Sequence, residues 1–526
     1  MLKTVILIPL IGGFLTLVPL QAKWSLFTSN THDSALTIKS RNESEEVTRL
    51  IAVMASILTF IYSMWIWLIF DNNIGGFQMG EWIGSSGIEI GIDGIALYLI
   101  ILTTGLTVII IMNGPYDKEF MFWLLITESI LIGVFSILDI LYFYVLFEMV
   151  LIPLFFIMRR SIEIYPYRKN KINRAIYKLL GYTLFGSFIM LLGMVLLCSK
   201  TGNTNYTYLL SIASVLDGKS GVEIELSQKI IWVCLFIGFA VKVPVMPFHV
   251  WLPEAHSEAP TGVSMLLAGI LLKLGTFGMM RYLIPLFPST TIYFQPYVEV
   301  LFVVSVIYSS FTILRQVEIK KVIAYSSISH MNLCLLGIFS GEYDGIAGGY
   351  LMMINHGLIS AGLFFCAGIL FNRYSLRAIK YYRGLIVTMP LFSIFFFIFN
   401  LANIGFPPFA SFISELLIFI GLFKHSISVS LFASLSIILG GAYGIWFVTR
   451  IIYGRAKANN VLTEVNEKKE NKQSGSWGLG SLVILSNDLT RKEFIILLLL
   501  LLISLIFGLF PHLIIEGITL PISLMI

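Results

Sequence analysis

Apolar runs of about 20 residues, enough to cross the hydrocarbon of a bilayer, recur from one end of this chain to the other. Read for that length, the pattern predicts 14 spans: 2–20, 50–70, 93–113, 119–138, 140–158, 178–198, 229–250, 260–283, 296–315, 321–339, 344–371, 388–423, 430–453 and 494–515. The run at 388–423 is too long for one straight crossing, and Gly405-Phe406-Pro407-Pro408 near its middle predicts two half-helices. Pro244 and Pro247 predict a second interruption inside 229–250. Polar residues gather in two stretches, 22–49 and 455–493, which read as solvated loops, the second one flexible. The first run, between Lys3 and Ala22, has the shape of a signal peptide and equally of a retained helix. No Arg-rich amphipathic transit peptide is visible. The expected fold is therefore an all-α polytopic membrane protein.

Composition sharpens this picture. Only 12% of the residues are charged and 57% are hydrophobic, against roughly 25% charged in soluble chains. The net charge of +5 gives no reason to expect nucleic acid. Its distribution does carry information. With the 159–178 loop placed inside, alternation of the spans collects 27 lysines and arginines on that side and six on the other. A bias of that size follows the positive-inside rule, supports the span count and the retained first helix, and puts both termini outside. Cys198, Cys234, Cys334 and Cys366 lie far apart in apolar stretches, without metal-ligand spacing. No haem, iron–sulfur or Gly-rich nucleotide motif occurs, so no cofactor is expected in this chain.

A weak internal repeat is legible. VPVMPFHVWLPE follows Lys242, and IGFPPFASFISE follows Asn403, with Pro247-Phe248 and Pro408-Phe409 preceding Glu254 and Glu415 by the same spacing. Five spans separate the two interruptions, so units of five spans would be inverted relative to each other. The chain then divides into 1–118, a first unit at 119–283, a second at 296–453, a polar loop at 454–493 and a terminal helix at 494–526.

Ionisable residues at membrane depth are the candidate chemistry, because a charge at the bilayer centre costs about 2.5–3.5 kcal/mol on insertion scales. Lys242 and Lys273 sit alone in long apolar runs, and Lys273 lies about 12 residues from either end of its span. At about 1.5 Å per residue that is beyond the reach of a snorkelling lysine. Glu148 lies in mid-span and is expected to pair with Lys242, so that forming and breaking the pair drives proton uptake and release; the alternative is a structural carboxylate bonded to a neighbouring helix. Asp139 fits an interfacial cap or a funnel residue, and Glu128 a second acid or a helix–helix tether. His330 and His356 lie in consecutive spans, with Ser326 and Ser360 one turn away on polar stripes able to hold water. Histidine titrates near neutrality and suits a relay, although a lone histidine is more often a bonded core residue. His249, just past the first interruption, is ambiguous. Glu415 suits an exit acid or an N-cap of its half-helix.

EMVLIPLFFIM around Glu148, FAVKVPVMPFHVWLPEAHSEAPTGVSMLLAGILLKLG around Lys242 and Lys273, SSISHMNLCLLGIF around His330 and GFPPFASFISE around Glu415 closely resemble the subunit 4 family of NADH dehydrogenase. These are antiporter-like subunits in the membrane arm of respiratory complex I. The resemblance covers about residues 90–455. It implies 14 core helices, inverted repeats in helices 4–8 and 9–13, and broken helices 7 and 12. It further implies that Glu148 and Lys242 form the first proton-handling pair, that Lys273 is the central connection, that His330 and His356 line a hydrated path and that Glu415 is the outer acid. NADH, FMN, iron–sulfur clusters and ubiquinone would be bound elsewhere in the complex. Partners implied are the other membrane-arm subunits, sister antiporter-like subunits included, together with lipids; 22–49 and 455–493 look longer than the family's norm and are candidate contacts for accessory subunits. The implied location is the mitochondrial inner membrane, with the termini on the intermembrane-space side; a bacterial inner membrane is the lesser alternative. The rival readings are a cation/proton antiporter subunit, a pumping subunit of a membrane-bound hydrogenase, and a structural membrane subunit that translocates nothing.

Overall fold

A computed structural model of the chain describes residues 1–17, 34–83, 87–114, 117–213, 226–454 and 488–523. It is a helical membrane protein. Eleven of its described helices are long and apolar enough to cross a bilayer, and three shorter apolar helices, Leu2–Leu17, Pro390–Ile404 and His512–Ser523, accompany them. Most of the polar stretch 455–493, and residues 18–33, lie outside the described residues.

The chain forms two compact units, Met1–Gly238 with Tyr282–Phe287, and Phe239–Arg281 with Pro288–Ile526. In the first unit the elements run α1 (Leu2–Leu17), α2 (Ser34–Ile69), β1 (Gln78–Ile83), β2 (Ile88–Ile92), α3 (Gly94–Asn113), α4 (Lys118–Ser136), α5 (Ile140–Met149), α6 (Leu151–Ile164), α7 (Lys169–Thr201), α8 (Tyr206–Ser211) and most of α9 (Leu226–Lys242). Two departures from the sequence reading are found here. The supposed loop 22–49 contains the start of α2, which runs helical from Ser34. The span expected at 140–158 is present as Ile140–Glu163, with a turn at Val150 between α5 and α6. Between α2 and α3 stands an antiparallel hairpin, with Glu81 opposite Ile90 and Trp82 opposite Glu89. Its outer edge is tied down: Leu138 donates its backbone N–H to the Glu89 carbonyl at 3.0 Å, and Asn205 donates to the Glu89 carboxylate at 2.8 Å.

The second unit holds the rest of α9, α10 (Trp251–Glu258), all but the last two residues of α11 (Thr261–Leu283), α12 (Pro288–Ile313), α13 (Ile319–Phe339), α14 (Tyr343–Tyr374), α15 (Leu385–Thr388), α16 (Pro390–Ile404), α17 (Ala410–His425), α18 (Ile427–Ile452), α19 (Arg491–Leu509) and α20 (His512–Ser523). Both predicted interruptions are present. α9 stops at Lys242, and the chain passes through Pro244, Pro247 and a 3₁₀ turn at Phe248–Val250 before α10 begins. α16 stops at Ile404, and α17 begins at Ala410. Each interruption holds a cis X–Pro bond, at Met246–Pro247 and Pro407–Pro408. Backbone groups freed in hydrocarbon must be satisfied by protein, and side chains close to the first interruption do this. Trp251 Nε1 donates to the Val241 carbonyl at 3.0 Å, and the Met246 N–H donates to Ser305 Oγ at 3.0 Å. At the second, the Phe406 N–H reaches the Leu401 carbonyl at 3.1 Å, and Ser411 Oγ donates to that of Ala402.

α11, α13 and α14 form the inner layer. The apolar window of α11 is wholly buried, and those of α13 and α14 are 94% buried, against 33% for α18 and α19. Small residues set the closest approach inside this layer, as in other membrane bundles. A Cβ added at Gly348 of α14 would stand 2.7 Å from the Ile418 backbone nitrogen and 2.9 Å from the Ser414 carbonyl, both of α17. Backbone cannot move aside as a flexible side chain can. Gly348→Val is therefore expected to destabilise the protein by about 1–3 kcal/mol, the usual cost of overpacking, measured as a lower thermal unfolding midpoint of the solubilised protein.

Candidate functional site

The site is built across four helices of the second unit. α11 carries Lys273, fully buried, two residues past a π-helical segment at Leu267–Leu271. The ammonium donates to the Ala268 carbonyl in that segment at 2.6 Å and lies 2.8 Å from His356 Nδ1 on α14. The His356 ring faces that of His330 on α13, with centroids 5.9 Å apart. His330 Nδ1 in turn lies 4.0 Å from Glu415 Oε1 on α17, an ion pair whenever the ring is protonated. Lys273, His356, His330 and Glu415 thus follow one another through the second unit at separations of 2.8 Å, 5.9 Å between ring centroids and 4.0 Å, with Lys273 and both rings nearly inaccessible and Glu415 9% exposed.

The second interruption gives Glu415 its place. Gly405 ends α16 in the left-handed region at φ 83°, and a Cβ there would stand 2.3 Å from Glu415 Oε2. The carboxylate therefore rests directly against a bare Cα. It makes no N-cap bond, since α17 starts after Phe409 without a side-chain cap. Along the line several polar atoms are buried without a hydrogen-bond partner among the described residues: Nε2 of His330, Nε2 of His356 and both amide atoms of Asn355. The serines expected to flank the histidines bond to their own helices, Ser326 Oγ to the Ile323 carbonyl at 2.8 Å and Ser360 Oγ to that of Gly357 at 3.4 Å.

The remaining candidates are carried by other elements. Lys242 is 1% exposed at the end of α9, in the second unit. Glu148, near the end of α5, is half-buried in the first unit. Glu128 is fully buried on α4 and accepts from Thr59 Oγ1 of α2 at 2.7 Å. Asp139 caps α5, accepting from the Leu141 and Tyr142 N–H groups at 2.9 and 3.0 Å, and takes a further bond from Thr204. His249 packs edge-on against Tyr308, with centroids 5.3 Å apart.

Two residues escaped the sequence reading. His256, fully buried, stacks on Phe364 with centroids 4.4 Å apart and planes 10° from parallel. Both of its ring nitrogens lack partners among the described residues. It was hidden because 251–259 reads as a polar inner loop, whereas the structure makes it the buried half-helix α10. Lys320, counted with the inner-loop charges, instead donates to the Ala259 carbonyl at 2.7 Å and to Ser264 Oγ at 3.3 Å. Beside α10, Arg377 pairs with Glu258 at 3.1 Å. The signal available was HSE between two apolar runs, with no lysine or arginine near it.

Comparison with known proteins fits this architecture. Residues 138–440 match the membrane-domain family described as NADH:quinone oxidoreductase/Mrp antiporter, which makes the chain an antiporter-like membrane subunit. NADH-ubiquinone oxidoreductase chain 4 of Marchantia polymorpha is 45% identical over 80% of this chain and 84% of its own length. The chain 4 protein of Mycosarcoma maydis is 38% identical over 98% of both. Among solved structures, a chain of respiratory complex I from Thermus thermophilus with bound NADH superposes with a TM-score of 0.78 at 26% identity, covering 100% of this chain and 99% of that one. A chain of the Mrp complex from Dietzia superposes at 0.77 with 18% identity, over 99% and 96%, which is a likeness of fold alone. The chain belongs to the NADH:quinone oxidoreductase/Mrp antiporter family, in its NADH-ubiquinone oxidoreductase chain 4 branch.

The contact between Gly405 and Glu415 can be tested directly. Gly405→Ala forces the carboxylate off its seat and adds about 1–2 kcal/mol of left-handed backbone cost. Proton translocation in reconstituted vesicles is expected to fall, and the double variant Gly405→Ala/Glu415→Asp, one methylene shorter, to recover part of it. Unchanged translocation in Gly405→Ala would show that the close approach does not matter.

Proposed function

We propose that this chain is a proton-translocating membrane subunit of NADH:ubiquinone oxidoreductase, and that a proton crosses it along Glu148, Lys242, Lys273, His356, His330 and Glu415. The observation that carries the proposal is the line from Lys273 to Glu415, in which each ionisable group meets the next inside a protein wall. A lysine, two histidines and a carboxylate in sequence are able to exchange one proton stepwise, because each is acceptor to one neighbour and donor to the other. Moving one charge against 100 mV requires about 2.3 kcal/mol, and the redox reaction that supplies it takes place elsewhere in the complex, where NADH, FMN, iron–sulfur clusters and ubiquinone belong. In this reading a change arriving along the membrane arm alters how Glu148 and Lys242 share charge, and Lys273 passes the consequence to the histidines. Glu128, Asp139 and His249 are supporting positions. His256 and Lys320 lie close enough to the line to join it.

The two five-helix repeats, 119–283 and 296–453, and a count of 14 spans complete the proposal. The corresponding interruptions at Lys242–Phe248 and Gly405–Phe409 support them. The location is the mitochondrial inner membrane, both termini face the intermembrane space, and neighbouring membrane-arm subunits, including sister antiporter-like ones, contact the chain; 22–49 and 455–493 reach accessory subunits. Finding the chain in an NADH-oxidising complex on a native gel separates this reading from a cation/proton antiporter subunit, which the Mrp-like fold also suits.

Lys242→Ala and Glu148→Gln are expected to leave assembly intact and abolish coupled proton pumping. Full pumping in an assembled Lys242→Ala complex would refute the pathway, and normal assembly with lost pumping would exclude a purely structural role. For the topology, a cysteine at Lys171 should react with an impermeant maleimide only from the matrix side, and one at Asn203 only from the intermembrane-space side. The reverse pattern would invert the assignment.

A further inference from the structure

Three side chains of the second unit meet in a triangle that the proposed pathway does not use. Gln295 Nε2 lies 3.0 Å from Glu299 Oε1 and 2.9 Å from His425 Nε2, and His425 Nε2 lies 2.9 Å from Glu299 Oε1. A main-chain oxygen joins them, the Phe339 carbonyl, 2.7 Å from the Gln295 amide nitrogen. Gln295 and Glu299 sit one turn apart on α12, whereas Phe339 is the last residue of α13 and His425 the last of α17. Glu299 is 4% exposed and the His425 side chain 30%, so the triangle is closed on the carboxylate side and reaches the surface through the ring.

Hydrogen bonds alone do not satisfy this arrangement. The amide nitrogen has three neighbours at bonding distance and two hydrogens, and it accepts none. We infer that Gln295, Glu299, His425 and the Phe339 carbonyl bind one divalent metal ion of the zinc class, with the amide turned by half a rotation so that its oxygen replaces its nitrogen. All four donors then offer lone pairs to one point. The separations fit, because adjacent octahedral ligands with bonds of about 2.1 Å stand about 3.0 Å apart. The local field favours a cation as well. Two helices, α13 and α17, end here, and helix C-termini carry partial negative charge. The neighbouring Lys424 is already paired with Asp344. The imidazole selects the class of metal, since magnesium and calcium take oxygen ligands. The ion braces α12 and α13 against α17, the helix that carries Glu415. Its ligands are too scattered along the chain to form a recognisable motif.

The test uses the intact membrane complex and copper(II) with ascorbate, which oxidises a histidine that holds the copper. Peptide mass spectrometry then measures oxygen added at His425, with His512, exposed at the start of α20, as the reference for unspecific attack. His425 is expected to be oxidised in preference to His512. Copper binds such sites more tightly than zinc, so zinc in roughly hundredfold excess should lower the oxidation of His425 by about tenfold, and magnesium at the same concentration should leave it unchanged. Glu299→Gln should raise the zinc concentration that protects by at least about tenfold, since losing even an outer partner of a metal ligand costs that much. Oxidation of His425 no greater than that of His512, or equal protection by magnesium, would overturn the site. Zinc protection of both histidines alike would overturn it too. The competition needs no variant, so it decides even if Glu299→Gln fails to assemble.

Discussion

The cost of holding charge where there is no water governs this molecule. A lysine, two histidines and a glutamate at membrane depth must be enclosed by protein, and the helices that bear three of them, α11, α13 and α14, are the most completely buried of the described spans. Enclosure then dictates composition. The enclosing helices are buried on nearly every face, so their sequences show almost no amphipathic period, and small residues appear where backbones come close, as at Gly348. Inside the enclosure the Lys273 ammonium is held by the Ala268 carbonyl and the His356 ring.

The same constraint explains the two interruptions. An open turn facing lipid would leave backbone groups unpaired, so the chain breaks its helices only where side chains such as Trp251, Ser305 and Ser411 reach the released groups. The reward is placement. At the second interruption a left-handed glycine lets a carboxylate sit against backbone, a position that no uninterrupted helix would offer. At the first, the half-helix after the proline turn carries His256 into the interior.

What sequence made legible follows from what hydropathy can measure. Spans, interruptions and isolated charges stand out because each is a sharp contrast along the chain: Lys273 against a run of leucines, Gly405-Phe406-Pro407-Pro408 against phenylalanines. The hairpin of β1 and β2 was missed because its strands are short and flanked by long helices, and its pairing partners, Leu138 and Asn205, are distant in sequence. α10 was missed because a short polar segment between two spans has the composition of a loop; only the packing of His256 on Phe364 reveals that it is interior. Lys320 was counted with the inner-loop charges for the same reason. A charge near a span's end reads as interfacial until the carbonyl that receives it is known. The pairing of Lys273 with His356 could not be read at all, since it joins residues 83 apart.

The bond from Lys273 to the Ala268 carbonyl has a consequence outside energetics. A carbonyl that accepts from an ammonium vibrates at a lower frequency than one bonded to a neutral amine, and this carbonyl belongs to a π-helical turn whose geometry sets it apart from the regular helix. The charge on one lysine is thereby written into the infrared absorption of one peptide group. An isotope edit at Ala268 would make the centre of the membrane domain observable in time, without a probe larger than the atoms already there.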